Sequence, residues 1–230
     1  MHSFAAIDNL RHLLELVLLA VGALFPVVDP LGGAPIYLAM TAGLTAQQRA
    51  ATAKAVAINS FLLLILSALL GTYVLAFFGL SVPAVQVGGG ILVCAIAWSL
   101  LNAPDPAYAP QRRSAVARED LGQRAFYPLT LPLTVGPGSI SVALTLGANP
   151  EHSVRAVFTT TVGNTFGATV IALLVYLCYR YADRILERIG PTGTSIIVRL
   201  SAFILLCIGA QIAWNGIHAL LTTTFPDVAH

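Results

Sequence analysis

Residues 61–78 read FLLLILSALLGTYVLAFF, eighteen positions without a charge. Residues 88–101 (GGGILVCAIAWSLL) and 200–214 (LSAFILLCIGAQIAW) are similar. Runs of this length without charge are what a hydrocarbon layer asks of a helix, which needs about 20 mostly apolar residues to cross it. They also decide the solvent. Charged residues make up 10% of the 230-residue chain, against about 25% in an ordinary soluble domain. Twenty-two charged side chains, twelve basic and ten acidic, are too few to coat a water-soluble surface. A soluble globular protein and a nucleic-acid binder are thereby excluded. A membrane β-barrel would alternate polar and apolar residues over about ten positions, and these runs do not alternate.

Six spans are expected: Leu13–Met40, Lys54–Phe78, Pro83–Asn102, Arg124–Gly147, Val154–Arg180 and Val198–Leu221. The N-terminus reads as a retained first span, because it lacks the basic start of a signal peptide and its apolar run is long. Arginine and lysine set the orientation. Ten lie in or beside the loops after spans one, three and five, among them Arg49, Lys54, Arg112, Arg184 and Arg188; only Arg11 and Arg155 lie on the other side. Both termini are therefore expected on the outer side. The stretch 103–123, containing APDPAYAPQRRSAVARED, reads as a cytoplasmic linker between repeats of about 13–102 and 124–221 within one membrane domain. Tyr181–Gly190 (YADRILERIG) reads as a short amphipathic interfacial helix.

Three spans per half make the second half run opposite to the first, so a repeat would be inverted. A shift of 113 residues places Val85 on Val198, Cys94 on Cys207 and Ala97 on Ala210. The prolines argue more strongly. Span one contains Pro26, Asp29, Pro30, Gly32, Gly33 and Pro35; span four contains Pro128, Pro132, Gly136, Pro137 and Gly138. Proline removes a backbone donor, and glycine permits unwound geometry. Breaks of this kind at membrane depth must face protein or a water-filled cavity. Interrupted spans in corresponding positions of two halves point to a transporter's binding site. The expected fold is thus an all-α membrane protein of six helices, two inverted three-helix repeats with the first helix of each broken.

Asp29 is the one ionisable residue deep in a span. A carboxylate there costs roughly 2.5–3.5 kcal/mol on insertion scales. It can bind a substrate ammonium group, carry a coupling proton or sodium ion, or cap the half-helix that Pro30 begins. Half-helix starts at Pro30 and Pro137 present free amides suited to a carboxylate. The expected substrate site comprises Asp29, Pro30, Gly32, Gly33, Gly136, Pro137, Gly138 and Ser139, with Asn59, Thr134 and Asn164 as further polar residues of the same cavity. Gln86 and Gln211 read as interhelical hydrogen-bond formers, and Gly88–Gly90 as a close-packing site. No metal-ligand spacing, cofactor motif or catalytic constellation is present. The three cysteines, Cys94, Cys178 and Cys207, lie in apolar runs and form no framework.

LFPVVDPLGGAPIYLAMT, FYPLTLPLTVGPGSIS and RLSAFILLCIGAQIAWNGI resemble the three signature stretches of the MarC/SnatA family of membrane proteins, and GPTGTSIIVRL resembles its lead-in to the last span. The resemblance implies a six-span inner-membrane protein related to LysE-type exporters. It also implies transport of small neutral amino acids such as alanine, glycine and serine. The matching motif residues are Asp29, Pro30, Gly32, Pro35, Pro132, Gly136, Pro137, Gly138, Arg199 and Gly216. Family members carry Asp or Asn at the position of Asp29. SAF follows Arg199-Leu200 here where many relatives have MGL. Alternatives are export of another small metabolite or drug, and a non-transporting scaffold or sensor.

Overall fold

The computed structural model describes residues 2–102, 125–148 and 154–224. Within them all regular structure is helical: α1 (His2–Val28), α2 (Pro30–Met40), α3 (Ala46–Phe77), α4 (Val82–Leu101), α5 (Ala125–Thr134), α6 (Pro137–Gly147), α7 (Val154–Arg180) and α8 (Ala182–Thr224). Five helices are long and apolar enough to cross a membrane, or six spans if the α5–α6 pair, bent by 71°, is counted as one. The linker expected at 103–123 lies outside the described residues.

Local chemistry explains the boundaries. α3 starts at a capping box: the Thr45 hydroxyl accepts from the Gln48 amide, and the Gln48 side chain accepts from the Thr45 amide. α4 starts at Ser81, whose hydroxyl accepts from the Ala84 amide. α8 kinks at Gly190 (φ 73°, ψ 173°), a backbone region open to glycine. The kink separates a short amphipathic stretch from the last membrane span, where the sequence predicts an interfacial helix.

α5 is the irregular element. Tyr127 and Leu131 are extended, φ near −125° and −109°, because each precedes a proline that disfavours helical backbone. The segment is therefore interrupted at both residues and does not wind as a regular helix. Two threonines repair it: the Thr130 hydroxyl donates to the Ala125 carbonyl at 2.6 Å, and the Thr134 hydroxyl to the Leu129 carbonyl at 2.7 Å. Both hydroxyls are buried, so the broken backbone keeps its hydrogen bonds away from water.

Outward faces carry Leu62, Leu66, Leu70, Tyr73 and Phe77 of α3, all exposed, the surface a bilayer covers. Inward, Val56, Ser60 and Leu64 of the same helix are buried at i, i+4 and i+8. The most extensive helix–helix interface joins α4 to α8. Gly90 allows it: a Cβ there would lie 2.6 Å from the Gly209 carbonyl oxygen. The close-packing role expected of Gly88–Gly90 falls on Gly89 and Gly90, since Gly88 has open space beside it.

The short helices after the breaks pack on distant parts of the chain. α2 rests on α7 and α8, while α6 rests on α3 and α4; likewise α1 packs on α7, and α5 on α3. Each broken segment is thus held by long helices from the other end of the sequence.

Candidate functional site

The first break is at Asp29. Its backbone is left-handed (φ 44°, ψ 64°), and it is the only non-glycine residue of positive φ among those described. Aspartate tolerates this region because its short side chain bonds the local backbone. Here Asp29 Oδ1 accepts from the Gly32 amide at 3.0 Å. The capping role, one of three readings of Asp29, is therefore realised, with Pro30 in the first turn of α2. The Asp29 amide donates to the Phe25 carbonyl and the Gly33 amide to the Asp29 carbonyl, each at 2.9 Å.

The second break is at Gly136. It is extended (φ −90°, ψ 178°) and caps α6 without a side-chain hydrogen bond. Pro137 has no amide hydrogen. Among the described residues the next two amides, of Gly138 and Ser139, have no acceptor, and the first bond of the new helix is Ile140 to the Gly136 carbonyl at 3.1 Å. The Ser139 hydroxyl also has no partner among the described residues, although Ser139 is only 1% exposed.

Both breaks face one cavity of about 360 Å³. From the first break it takes Asp29, Gly32 and Gly33; from the second, Gly136, Gly138 and Ser139. Chain direction orients it. Met40 near the end of α2, Leu100 near the end of α4 and Pro128 near the start of α5 all line it and mark one face. The lining runs toward that face as Asp29 to Ile36 to Met40 on α2 and as Val93 to Ile96 to Leu100 on α4. Pro128 of α5 and Val198 of α8 lie at the same end, and Leu205 lies deeper. Asp29 and Ser139 thus lie at the deep end beside Val27, Val28, Val93 and Leu205, and toward the ends of α2 and α4 the lining is wholly apolar.

Of the residues expected at the site, Pro30, Asn59, Thr134, Pro137 and Asn164 do not line this cavity. Pro30 is buried at the start of α2. The Asn164 side chain donates to the Leu146 carbonyl at 2.9 Å, tying α7 to the end of α6. Thr134 stands behind the cavity in an aromatic layer. Since its hydroxyl donates to Leu129, it accepts from the Tyr179 hydroxyl at 2.9 Å. The Tyr179 ring stacks on Tyr37 with centroids 4.5 Å apart. The Tyr37 hydroxyl donates to the Arg49 carbonyl at 2.6 Å, and the Arg49 guanidinium pairs with Asp183 at 3.0 Å. Gly33 sits against the Tyr179 hydroxyl with no room for a side chain. This layer joins five helices, and sequence reading did not find it.

On the opposite face α6 is seated directly on α4. The Gln86 amide nitrogen donates to the Thr145 hydroxyl at 3.0 Å. The Ser141 hydroxyl donates to the Val85 carbonyl at 3.4 Å, and a Cβ on Gly89 would come within 2.9 Å of the Ser141 Cβ.

Apolar helices bent and broken about a shared cavity define a multi-pass integral membrane protein. The sequence profile of the MarC family of integral membrane proteins matches residues 14–221, and the chain belongs to that family. It is 31% identical over 208 residues to the membrane protein YvbG of Bacillus subtilis, covering 89% of this chain and 93% of that one. A membrane protein of Methanocaldococcus jannaschii is 30% identical over 213 residues, covering 90% and 98%. The inner membrane protein MarC of Salmonella arizonae is 26% identical over 210 residues, covering 89% and 95%. No solved structure matches.

Proposed function

We propose that this protein is a secondary transporter of small neutral amino acids, of the alanine, glycine and serine type. The observation that carries this reading is the convergence of both breaks on one cavity. A carboxyl group, Asp29, stands at one break, and an uncapped helix start with two open amides stands at the other. A zwitterion matches that pair: its ammonium group beside Asp29, its carboxylate on the Gly138 and Ser139 amides. The free Ser139 hydroxyl adds a third contact. In this reading Asp29 also answers the coupling ion, a proton or sodium, and the protein is a carrier and not an enzyme.

The packing supports two inverted repeats. Exchanging α1–α4 with α5–α8 exchanges the pairs α2·α8 and α6·α4, and the pairs α1·α7 and α5·α3, all of which exist. In such a repeat pair, rocking exposes the midplane site to either side in turn. The cavity then belongs to the inward-facing form, with the Gln86–Thr145 contact closing the outer side. Arginine distribution puts the cavity's open end at the cytoplasm and both termini outside. The inner membrane of the Salmonella relative is the location we assign to this chain.

Uptake of labelled alanine, glycine and serine into proteoliposomes, with and without a proton or sodium gradient, tests the reading. Saturable uptake of one of them is expected. Asp29→Asn is expected to retain exchange and lose gradient dependence. No uptake of any amino acid by correctly reconstituted protein, under any gradient, overturns the proposal.

A further inference from the structure

The cavity has two chemically distinct ends, and the proposed head-group contacts use only one. At the deep end sit the side chains of Asp29 and Ser139. All the other lining side chains are aliphatic, methionine or proline, apart from the glycines; none is aromatic or charged. The wall is also rigidly backed. Val93 and Leu205 are buried and pack with Ala97, Val27 and Leu100 in one cluster between α4 and α8. Val93 abuts Gly138 so closely that a Cβ on the glycine would meet its Cγ2. The aliphatic wall therefore begins directly beside the α6 amides.

Size points the same way. A space of about 360 Å³ lies in the range of small-molecule pockets, and equals about a dozen water volumes at roughly 30 Å³ each. An alanine held at the deep end leaves most of it to water against apolar walls that offer no hydrogen bonds. Each further buried methylene is favourable by about 0.8 kcal/mol.

We infer that the substrate carries an aliphatic side chain of valine-to-leucine size, directed from the head-group contacts along Val93, Ile96 and Leu100 toward the arginine-rich face. Ile96 is the specificity-determining position: it is half-buried, lines the cavity and lies one turn beyond Val93. The inference rests on the zwitterion reading above, since that reading anchors the head group, and it moves the preferred neutral amino acid from alanine size to valine-to-leucine size, with alanine a weaker substrate.

Competition separates the two. Full-length protein in proteoliposomes takes up labelled alanine or leucine against unlabelled glycine, alanine, valine, leucine and methionine. Wild type is expected to prefer leucine or valine to alanine at least about tenfold, the discrimination that one to a few methylenes give in an apolar pocket. Ile96→Phe narrows the cavity and is expected to lower the leucine-to-alanine ratio at least about tenfold, its folding checked by a wild-type thermal unfolding midpoint in detergent. The wild-type panel decides even if the variant does not fold. Equal preference for alanine and leucine overturns this inference and leaves the zwitterion reading standing. So does a leucine-to-alanine ratio unchanged in a folded Ile96→Phe. Failure of every amino acid to compete or enter overturns both.

Discussion

The two breaks solve one problem differently. Both interrupt an apolar span with proline and glycine, and both begin a short helix of eleven residues. At the first, the chain supplies its own cap: Asp29 turns left-handed and accepts from the Gly32 amide. At the second, Gly136 has no side chain and the Gly138 and Ser139 amides stay open. One break is closed on itself and carries a carboxyl group; the other is unfinished and carries donors. Two identical breaks would suit an anion or a cation. Unlike breaks across one cavity suit a molecule with both charges. The helices beyond them differ too: α6 is hydrogen-bonded onto α4 and meets the cavity only at Gly138 and Ser139, whereas α2 borders the cavity from Gly32 to Met40.

Removing the difference from the first side should have the largest effect. Asp29→Ala loses a cap, about 0.5–2 kcal/mol, and puts alanine in a left-handed conformation that costs roughly 1–2 kcal/mol more. We expect a clear fall in the thermal unfolding midpoint in detergent and loss of uptake. Asp29→Asn, which keeps both the cap and the left-handed backbone, should restore the midpoint. An alanine variant as stable as the asparagine one would refute the capping account.

Next in size is the aromatic layer behind the first break. Tyr179→Phe keeps the stack on Tyr37 and removes the bond to Thr134. An interhelical hydrogen bond of this kind is worth about 0.6 kcal/mol on average and at most about 1.7. A double-mutant cycle with Thr134→Val on unfolding free energy should return a coupling in that range; zero coupling means the two hydroxyls do not act together.

Gln86→Ala releases α6 from α4 on the second side. On the proposed alternating access, a loss of about 0.6 kcal/mol should shift the balance between closed and open forms of that side roughly threefold. The readout is the labelling rate of a cysteine placed at Ala148, just past the end of α6 and clear of that hydrogen bond, compared with and without the Gln86 change. An unchanged rate would show that Gly89 against Ser141 suffices to hold that face.

The smallest effect comes from making the second break resemble the first. Gly136→Ser gives α6 a side-chain cap on a backbone already extended as a cap requires. A serine for glycine there stabilises by only a few tenths of a kcal/mol; its Cβ would lie 3.3 Å from the Pro132 carbonyl, so a slight shift accompanies it. The hydroxyl takes an amide that the proposed function gives to the substrate carboxylate, so on that proposal affinity should weaken while the unfolding midpoint holds or rises. Unweakened affinity would argue that these amides do not bind substrate.

Much of this was legible beforehand. Long uncharged runs fixed the helices and the bilayer; the fifth span, Val154–Arg180, coincides with α7. Proline and glycine marked both breaks, and six of the residues expected at the site line the cavity. Asn164 was misleading because a polar residue in a span serves an interhelical bond as readily as a ligand, and its partner, the Leu146 carbonyl, has no sequence signature. Ile96 and Leu205 were invisible for a related reason. In a helix apolar all round, a cavity-facing residue and a lipid-facing one have the same composition.

The sequence by itself determined the solvent, the helical class and the places where helices must break, because these follow from local backbone chemistry and the absence of charge. Only the tertiary structure decided which long helices hold each broken segment, that the two breaks meet at one cavity, and that one is capped while the other is left open toward it. Those outcomes depend on pairings between residues more than a hundred positions apart, such as Cys94 with Leu206 and Tyr37 with Tyr179, which no local pattern encodes.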